Sequence, residues 1–200
     1  MREIVCDLRS VRAILIAGMP GSGKSLVSDV ARECGLPVYV MGDVVREEIL
    51  RRGLELSPDN FRKIASDLRL EKGSDIIARL TLSRICEAGI KKDIIIIDGI
   101  RSLDELRFFK NHFKTCIILA VHASPRTRFM RLYKRGREDD PRTWSDFEAR
   151  DLQELSIGIG SVIAQADIML VNEGEDLESF RRSVREVIER ITGVKCSQNS

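Results

Sequence analysis

Residues 18 to 25 read Gly-Met-Pro-Gly-Ser-Gly-Lys-Ser, a full match to GxxxxGK[ST], and no other stretch limits so sharply what the chain can become. The motif follows an apolar run, Val11 to Ala17, and opens a helical pattern that extends from Lys24 to Cys34. Strand, glycine-rich loop and helix in that order form a phosphate cradle. The glycines let the backbone curl so that successive N–H groups face an anion, and the helix N-terminus adds positive potential. Lys24 then reaches the β and γ phosphates, and the Ser25 hydroxyl is placed to ligate magnesium. Gly18, Met19, Pro20, Gly21, Ser22, Gly23, Lys24 and Ser25 are therefore expected to bind a nucleoside triphosphate, with Mg2+ as the accompanying cofactor.

The same alternation of strand and helix continues to the end of the chain. Leu36 to Val40 reads as a second strand, and Asp93 to Ile97 as a third whose four isoleucines call for burial on both faces, as in a parallel sheet covered by helices. Thr115 to His122 and Asp167 to Val171 read as two more. Between the second and third strands, Gly42 to Gly89 is helical in pattern, broken at Gly53 to Pro58, where Ser57 before Pro58 starts a new helix. Helices are also expected over Leu103 to Asn111, Pro125 to Tyr133, Trp144 to Leu155 and Leu177 to Ile191, with IGIG (157–160) as a turn and CSQNS as a frayed tail. This pattern predicts an α/β fold with a mostly parallel sheet, a helical insertion at 42–89, a lid at 134–152 within a single domain of residues 1–192, and a flexible tail at 193–200. Ligands of such sheets bind beyond the carboxyl ends of the strands. Gly18, Gly42, Asp98 and His122 fall there.

Composition narrows the partners. Lys and Arg total 33 against 31 for Asp and Glu, a net charge of +2, so no general field grips a nucleic-acid backbone or an anionic membrane. The apolar runs are far shorter than the roughly 20 residues of a membrane span, and the first ten residues lack a signal-peptide core. A cytoplasmic protein, with neither nucleic-acid nor membrane partners, is expected. Five cysteines, odd in number and widely spaced without a CxxC, predict neither a zinc site nor a disulfide framework.

Arginines and one carboxylate supply the remaining chemistry. Asp98 directly follows the isoleucine strand, where a carboxylate holds magnesium beside the phosphate loop or caps the next helix. Arg46, in Gly-Asp-Val-Val-Arg just past strand two, and Arg101, in Asp-Gly-Ile-Arg just past strand three, are candidates to converge on a second anion, because a guanidinium meets a phosphate with two parallel donors. Arg128, Arg131 and Arg135 share one helix face by their spacing and lead into the irregular RGREDDPRTW stretch, which reads as a lid closing over a triphosphate. His122 is more simply a structural histidine than a catalytic one, and Trp144 and Phe147 are expected to anchor the helix after the lid. Asn172-Glu173-Gly174 is either a purine-contacting loop or a strand-end turn.

These residues together resemble the adenylate kinase and dephospho-CoA kinase group of P-loop nucleotide kinases. GMPGSGKS resembles their phosphate loop, MGDVVR their acceptor motif, IDGIRS a strand-end Asp-Gly-x-x-Arg shortened by one residue, and ADIMLVNEG their closing strand and base-binding turn. MRLYKRGR resembles the start of their lid. The combination MGDVVREE, DGIRSLDE, HASPRTRF, RGREDDPRTW and ELSIGIGSVIAQAD is closer still to an archaeal family of adenylate-kinase-related ATPases. The resemblance implies a three-layer P-loop NTPase fold with five parallel strands in the order 2-3-1-4-5. It also implies ATP binding with Arg131 stacked on the base, catalytic contacts from Lys24, Arg101, Arg135 and Arg137, acceptor contacts from Asp43, Arg46 and Arg101, and magnesium on Ser25 and Asp98. The activity implied is transfer of the ATP γ-phosphoryl group to a small nucleotide acceptor such as AMP. The alternatives are a dephospho-CoA kinase, in which Asp43 orients a sugar hydroxyl, and a nucleotide-dependent ATPase switch read by a protein partner.

Overall fold

The structure is a computed structural model that describes residues 6–137, 140–174 and 176–196. Among the described residues, β1 (Arg12–Ala17), β2 (Val38–Val40), β3 (Ile94–Asp98), β4 (Thr115–His122) and β5 (Ile168–Val171) form one sheet in the order β2-β3-β1-β4-β5. Every neighbouring pair is parallel. This is the order the resemblance implies, and the phosphate-loop strand β1 sits at its centre.

The four isoleucines of β3 explain why two cores form. Side chains along a strand alternate between faces, so Ile95 and Ile97 join Ala13 and Leu15 in one core, while Ile94 and Ile96 join Ile14 and Ile16 in the other. The first core is closed by α2 (Met41–Arg51), α3 (Pro58–Lys72), α4 (Ile76–Ala88), α5 (Leu103–His112) and the short α8 (Ile159–Ile163). The second is closed by α1 (Lys24–Glu33) and α9 (Leu177–Thr192), where Phe180, Val184 and Ile188 recur every fourth residue and are buried. Two further helices, α6 (Pro125–Arg135) and α7 (Trp144–Ile157), follow β4. Trp144 and Phe147 anchor α7 against Phe129 of α6, with ring centroids 5.4 and 5.8 Å away.

Most helix starts obey local chemistry. Ser57 caps α3 by accepting the Asn60 N–H at 3.2 Å, with Pro58 in the first turn. Thr143 and Asp146 form a reciprocal capping box at the start of α7. The 42–89 insertion breaks between Arg51 and Pro58, as the pattern predicts, and a second time between Lys72 and Ile76, so that it consists of three helices, α2 to α4. IGIG is not a simple turn: Gly158 at φ 115° ends α7 and directly begins α8.

The cysteines overturn the expectation drawn from their spacing. Cys6 is bonded to Cys86 and Cys34 to Cys196, across 80 and 162 residues. Sequence separation hid both pairs, because each joins a terminal segment to a helix far away in the chain: Cys86 lies in α4 and Cys34 caps α1. Cys196 is buried, so the expected flexible tail is pinned at least as far as that residue, and 197–200 lie outside the described residues. The remaining thiol, Cys116, is pushed up to about 12 by burial and is a poor attacker of either bridge.

Candidate functional site

The phosphate loop joins β1 to α1 and is gripped from two directions. Gly21 (φ 80°) lies so close to α6 that a Cβ there would meet the Arg128 carbonyl oxygen at 2.8 Å, and Gly23 (φ 96°) so close to Asn172 that a Cβ would meet its Nδ2 at 2.4 Å. Only glycine combines that backbone with that space. Buried Asn172 donates from Nδ2 to the Ser22 carbonyl at 2.9 Å, while its own Oδ1 and carbonyl accept from Arg131 Nη2 at 3.0 and 3.1 Å. Arg128 Nη1 donates to the Pro20 carbonyl at 3.3 Å. A cavity of about 340 Å³ opens beside the loop, lined by Gly23, Ser25, Leu26, Arg131, Asn172 and Leu177 among others.

Lys24 and Asp98 lie within electrostatic reach of each other beside the loop. Strand register pairs Ile16 of β1 with Asp98 of β3, which brings the carboxylate beside the loop. Asp98 Oδ2 accepts the Ser28 hydroxyl at 2.7 Å, while Oδ1 is buried with no hydrogen-bond partner among the described residues. Burial lowers the Lys24 pKa against the opposing pull of Asp98, and burial raises the Asp98 pKa against the charge of Lys24. Arg101, Glu154 and Arg150 also act on the Lys24 charge. No group of three metal-ligating side chains exists among the described residues. What is present, an orphaned carboxylate oxygen and the exposed Ser25 hydroxyl in the first turn of α1, fits a divalent cation that brings its remaining ligands with a triphosphate.

Arg101 reaches this centre from the α5 side. Its Nη1 donates to Glu154 Oε1 of α7 at 3.1 Å. Its backbone N–H donates to Oε2 of the buried Glu105 at 2.8 Å, and Glu105 also accepts from Arg69 of α3 at 3.0 Å. Arg46 and Asp43 instead pair with each other on α2 at 2.7 Å. The Arg46 guanidinium lies over Phe61, 5.6 Å from its centroid, and Arg84 stands 3.7 Å from the other Asp43 oxygen.

The lid arginines do not form one stripe. Arg128 is buried, not ligand-facing: it binds Asp151 of α7 through two nitrogens, at 2.7 Å for the Nη1 bond, and lies 4.9 Å from the Phe147 centroid. It is the pin between α6, α7 and the phosphate loop. Arg135 grips buried Asp140 through Nε at 2.9 Å and Nη2 at 2.5 Å, and the Arg137 N–H adds a third bond at 2.9 Å. Burial pushes the Asp140 pKa up, but Arg135, the Arg137 N–H and the charge of Arg150 outweigh it and hold the carboxyl below its usual range. Glu138 and Asp139, inside the expected lid, lie outside the described residues. Exposed His122 contributes nothing visible to the centre.

Sequence reasoning missed Arg150, Asp151 and Glu154, and also Glu105. The first three stand on α7 at spacings of one and four and point at the lid, the loop pin and Arg101 in turn. The signal available was a helix with charges on its inward face, right after the lid. Asn172 is a strand-end residue that braces both the phosphate loop and Arg131.

Residues 17–148 match the AAA domain family. A UPF0200 protein of Hyperthermus butylicus is 54% identical over 90% of this chain and 95% of its own length. The chain belongs to the UPF0200 family. Another UPF0200 member, from Thermococcus onnurineus, is 47% identical over 89% of this chain and 97% of its own length. Shikimate kinase from Bacteroides thetaiotaomicron superposes with a TM-score of 0.58 over 90% of this chain and 98% of that one, at 19% identity, so the two chains share a fold. Among the described residues no helix is long and apolar enough to cross a membrane.

Proposed function

We propose that the protein transfers the γ-phosphoryl group of ATP to a small nucleotide, with a nucleoside monophosphate such as AMP as the acceptor. The observation that carries this reading is that β1 and β3 are paired neighbours with Ile16 opposite Asp98, so the loop bearing Lys24 and the segment from Asp98 to Arg101 leave the sheet side by side, and the charges of Lys24, Asp98 and Arg101 act on one another. The phosphate loop and Lys24 orient the triphosphate, with the base in the cavity beside Arg131 and Asn172. Ser25 and Asp98 would hold magnesium, which supplies charge neutralisation on the β and γ phosphates. Arg101, with Arg46, positions the acceptor phosphate. One of its oxygens attacks Pγ, the bond from Pγ to the β–γ bridging oxygen breaks, and ADP leaves with that electron pair. Arg135, Arg137 and Arg150 line the lid side, where transferring charge must be balanced. No general base is needed, since positioning and charge stabilisation supply most of the rate.

The dephospho-CoA alternative calls on Asp43, which pairs with Arg46 and stands 3.7 Å from Arg84, as an orienting carboxylate. Thermal-shift titration of nucleoside monophosphates and dephospho-CoA, each with and without ATP and magnesium, tests the reading. A rise in melting temperature with ATP that Lys24→Ala loses, and a further rise with a monophosphate, is expected. A further rise with dephospho-CoA alone, or an undiminished ATP shift in folded Lys24→Ala, contradicts it.

A further inference from the structure

Helix α7 aims three charged side chains inward, and two of them have clear tasks. Asp151 neutralises the pin Arg128, and Arg150 lies 3.6 Å from Asp140. Glu154 is different, because it sits on Arg101 itself. Its Oε1 is 3.1 Å from Arg101 Nη1 across 53 residues of sequence, with side chains 15% and 30% exposed. The contact is not needed to dock α7, which the Arg128–Asp151 pair and the Phe129, Trp144 and Phe147 rings already hold. It also places a negative charge within electrostatic reach of Lys24, the last thing a site built only to collect phosphates would contain.

We propose that Glu154 is a specificity-determining residue: in the free protein its carboxylate stands in for the acceptor phosphate on Arg101, and a phosphate monoester dianion displaces it. The proposal rests on the acceptor role of Arg101. A carboxylate and a phosphate offer the same pair of oxygens to a guanidinium, but the phosphate dianion carries twice the charge. A ligand must out-compete Glu154 to gain Arg101, so a hydroxyl or a singly charged carboxylate is turned away while a monoester is admitted. Specificity of this kind comes from a built-in competitor and not from an added contact.

Calorimetric titration of AMP into the parent, Glu154→Gln, Arg101→Ala and the double variant decides the matter, with Glu154→Ala as a second probe should the amide variant melt early. Glu154→Gln is expected to tighten AMP by about 10-fold, the factor that follows when the unpaired arginine is populated roughly one-tenth of the time. Acetate, weak on the parent, should gain as well, narrowing the discrimination between the two anions. In the Arg101→Ala background the gain should vanish. If Glu154→Gln weakens AMP or leaves it unchanged while Arg101→Ala weakens it, Glu154 is a tether for Arg101 and the stand-in is overturned, although the acceptor reading survives. A gain that persists without Arg101 is a general field effect and also overturns the stand-in. If Arg101→Ala binds AMP as the parent does, or neither the parent nor Glu154→Gln binds it, the acceptor reading itself falls.

Discussion

The proposed donor half of the site and the proposed acceptor-and-lid half are built by different means. Around the phosphate loop the partners are backbone atoms and buried side chains: Gly21 against the Arg128 carbonyl, Gly23 against Asn172, Pro20 and Ser22 carbonyls satisfied by Arg128 and Asn172. On the acceptor and lid side the partners are charged side chains paired with one another, Arg101 with Glu154, Arg46 with Asp43, and Arg135 with Asp140. The first half is packed into the fold through backbone and buried side-chain contacts. The second consists of ion pairs that an anion can exchange, so binding donor and acceptor should differ in what each must rearrange.

Each half is also closed by its own covalent bridge, Cys34–Cys196 behind α1 and Cys6–Cys86 behind α4. Loops of 80 and 162 residues place the expected stabilisation on the order of 4 to 5 kcal/mol each, or roughly 8 to 20 °C of melting temperature per bridge. Calorimetric melts with and without reductant measure the sum. Hydrogen exchange on Cys34→Ser and Cys86→Ser should show loosening confined to the donor and the acceptor half respectively. Identical exchange patterns in the two variants would break the division.

Next in size is the pin. Asp151→Ala strands a buried guanidinium, which costs about 3 to 5 kcal/mol when one partner of a buried pair is removed. Because Arg128 also donates to Pro20 and its carbonyl abuts Gly21, ATP affinity should fall along with stability. A denaturation midpoint equal to that of the parent would remove Arg128 as the pin between α6, α7 and the phosphate loop.

Arg101→Ala sharpens the comparison at a smaller scale. A charge-assisted contact to phosphate contributes about 1.5 to 3 kcal/mol, so AMP should weaken roughly 10-fold to 150-fold while ATP changes little. Equal losses for both nucleotides would mean that the two halves share this arginine.

The arrangement around the phosphate loop was the most legible part of the sequence. GxxxxGK[ST] fixes loop, lysine and serine by local chemistry, and an Asp after four isoleucines lands beside it because strand register leaves it nowhere else to go. The acceptor half was legible only as a set of arginines. The partner of Arg101 comes from α7 across 53 residues, as does that of Arg128 across 23, and nothing in local pattern tells a paired arginine from a solvated one. The disulfides were hidden for the same reason: pairing is a property of the tertiary fold, and five scattered cysteines carry no spacing signal.

The smallest expected effect is acid sensitivity on the donor side of α6. Glu173 accepts from the Thr127 hydroxyl and the Ser124 N–H, and these bonds lower its pKa to about 2. A carboxylate lowered on folding contributes stability above its unfolded value, here 4.5, and loses that contribution as pH falls through about 2. Glu173→Gln should therefore flatten the decline in stability between those two pH values, as read by urea midpoints at stepped pH. An unaltered slope would remove Glu173 as the anchor of the β5 turn on α6.

In the proposed reaction the donor site hands the γ-phosphoryl group of ATP to a nucleotide acceptor held by arginine. ATP labelled at the γ position, incubated with magnesium and AMP and resolved by product, tests it most directly. The account predicts label in ADP formed from AMP, lost by about 10²-fold to 10³-fold in Lys24→Ala. Label appearing only as inorganic phosphate, at a rate that ignores AMP, would contradict it.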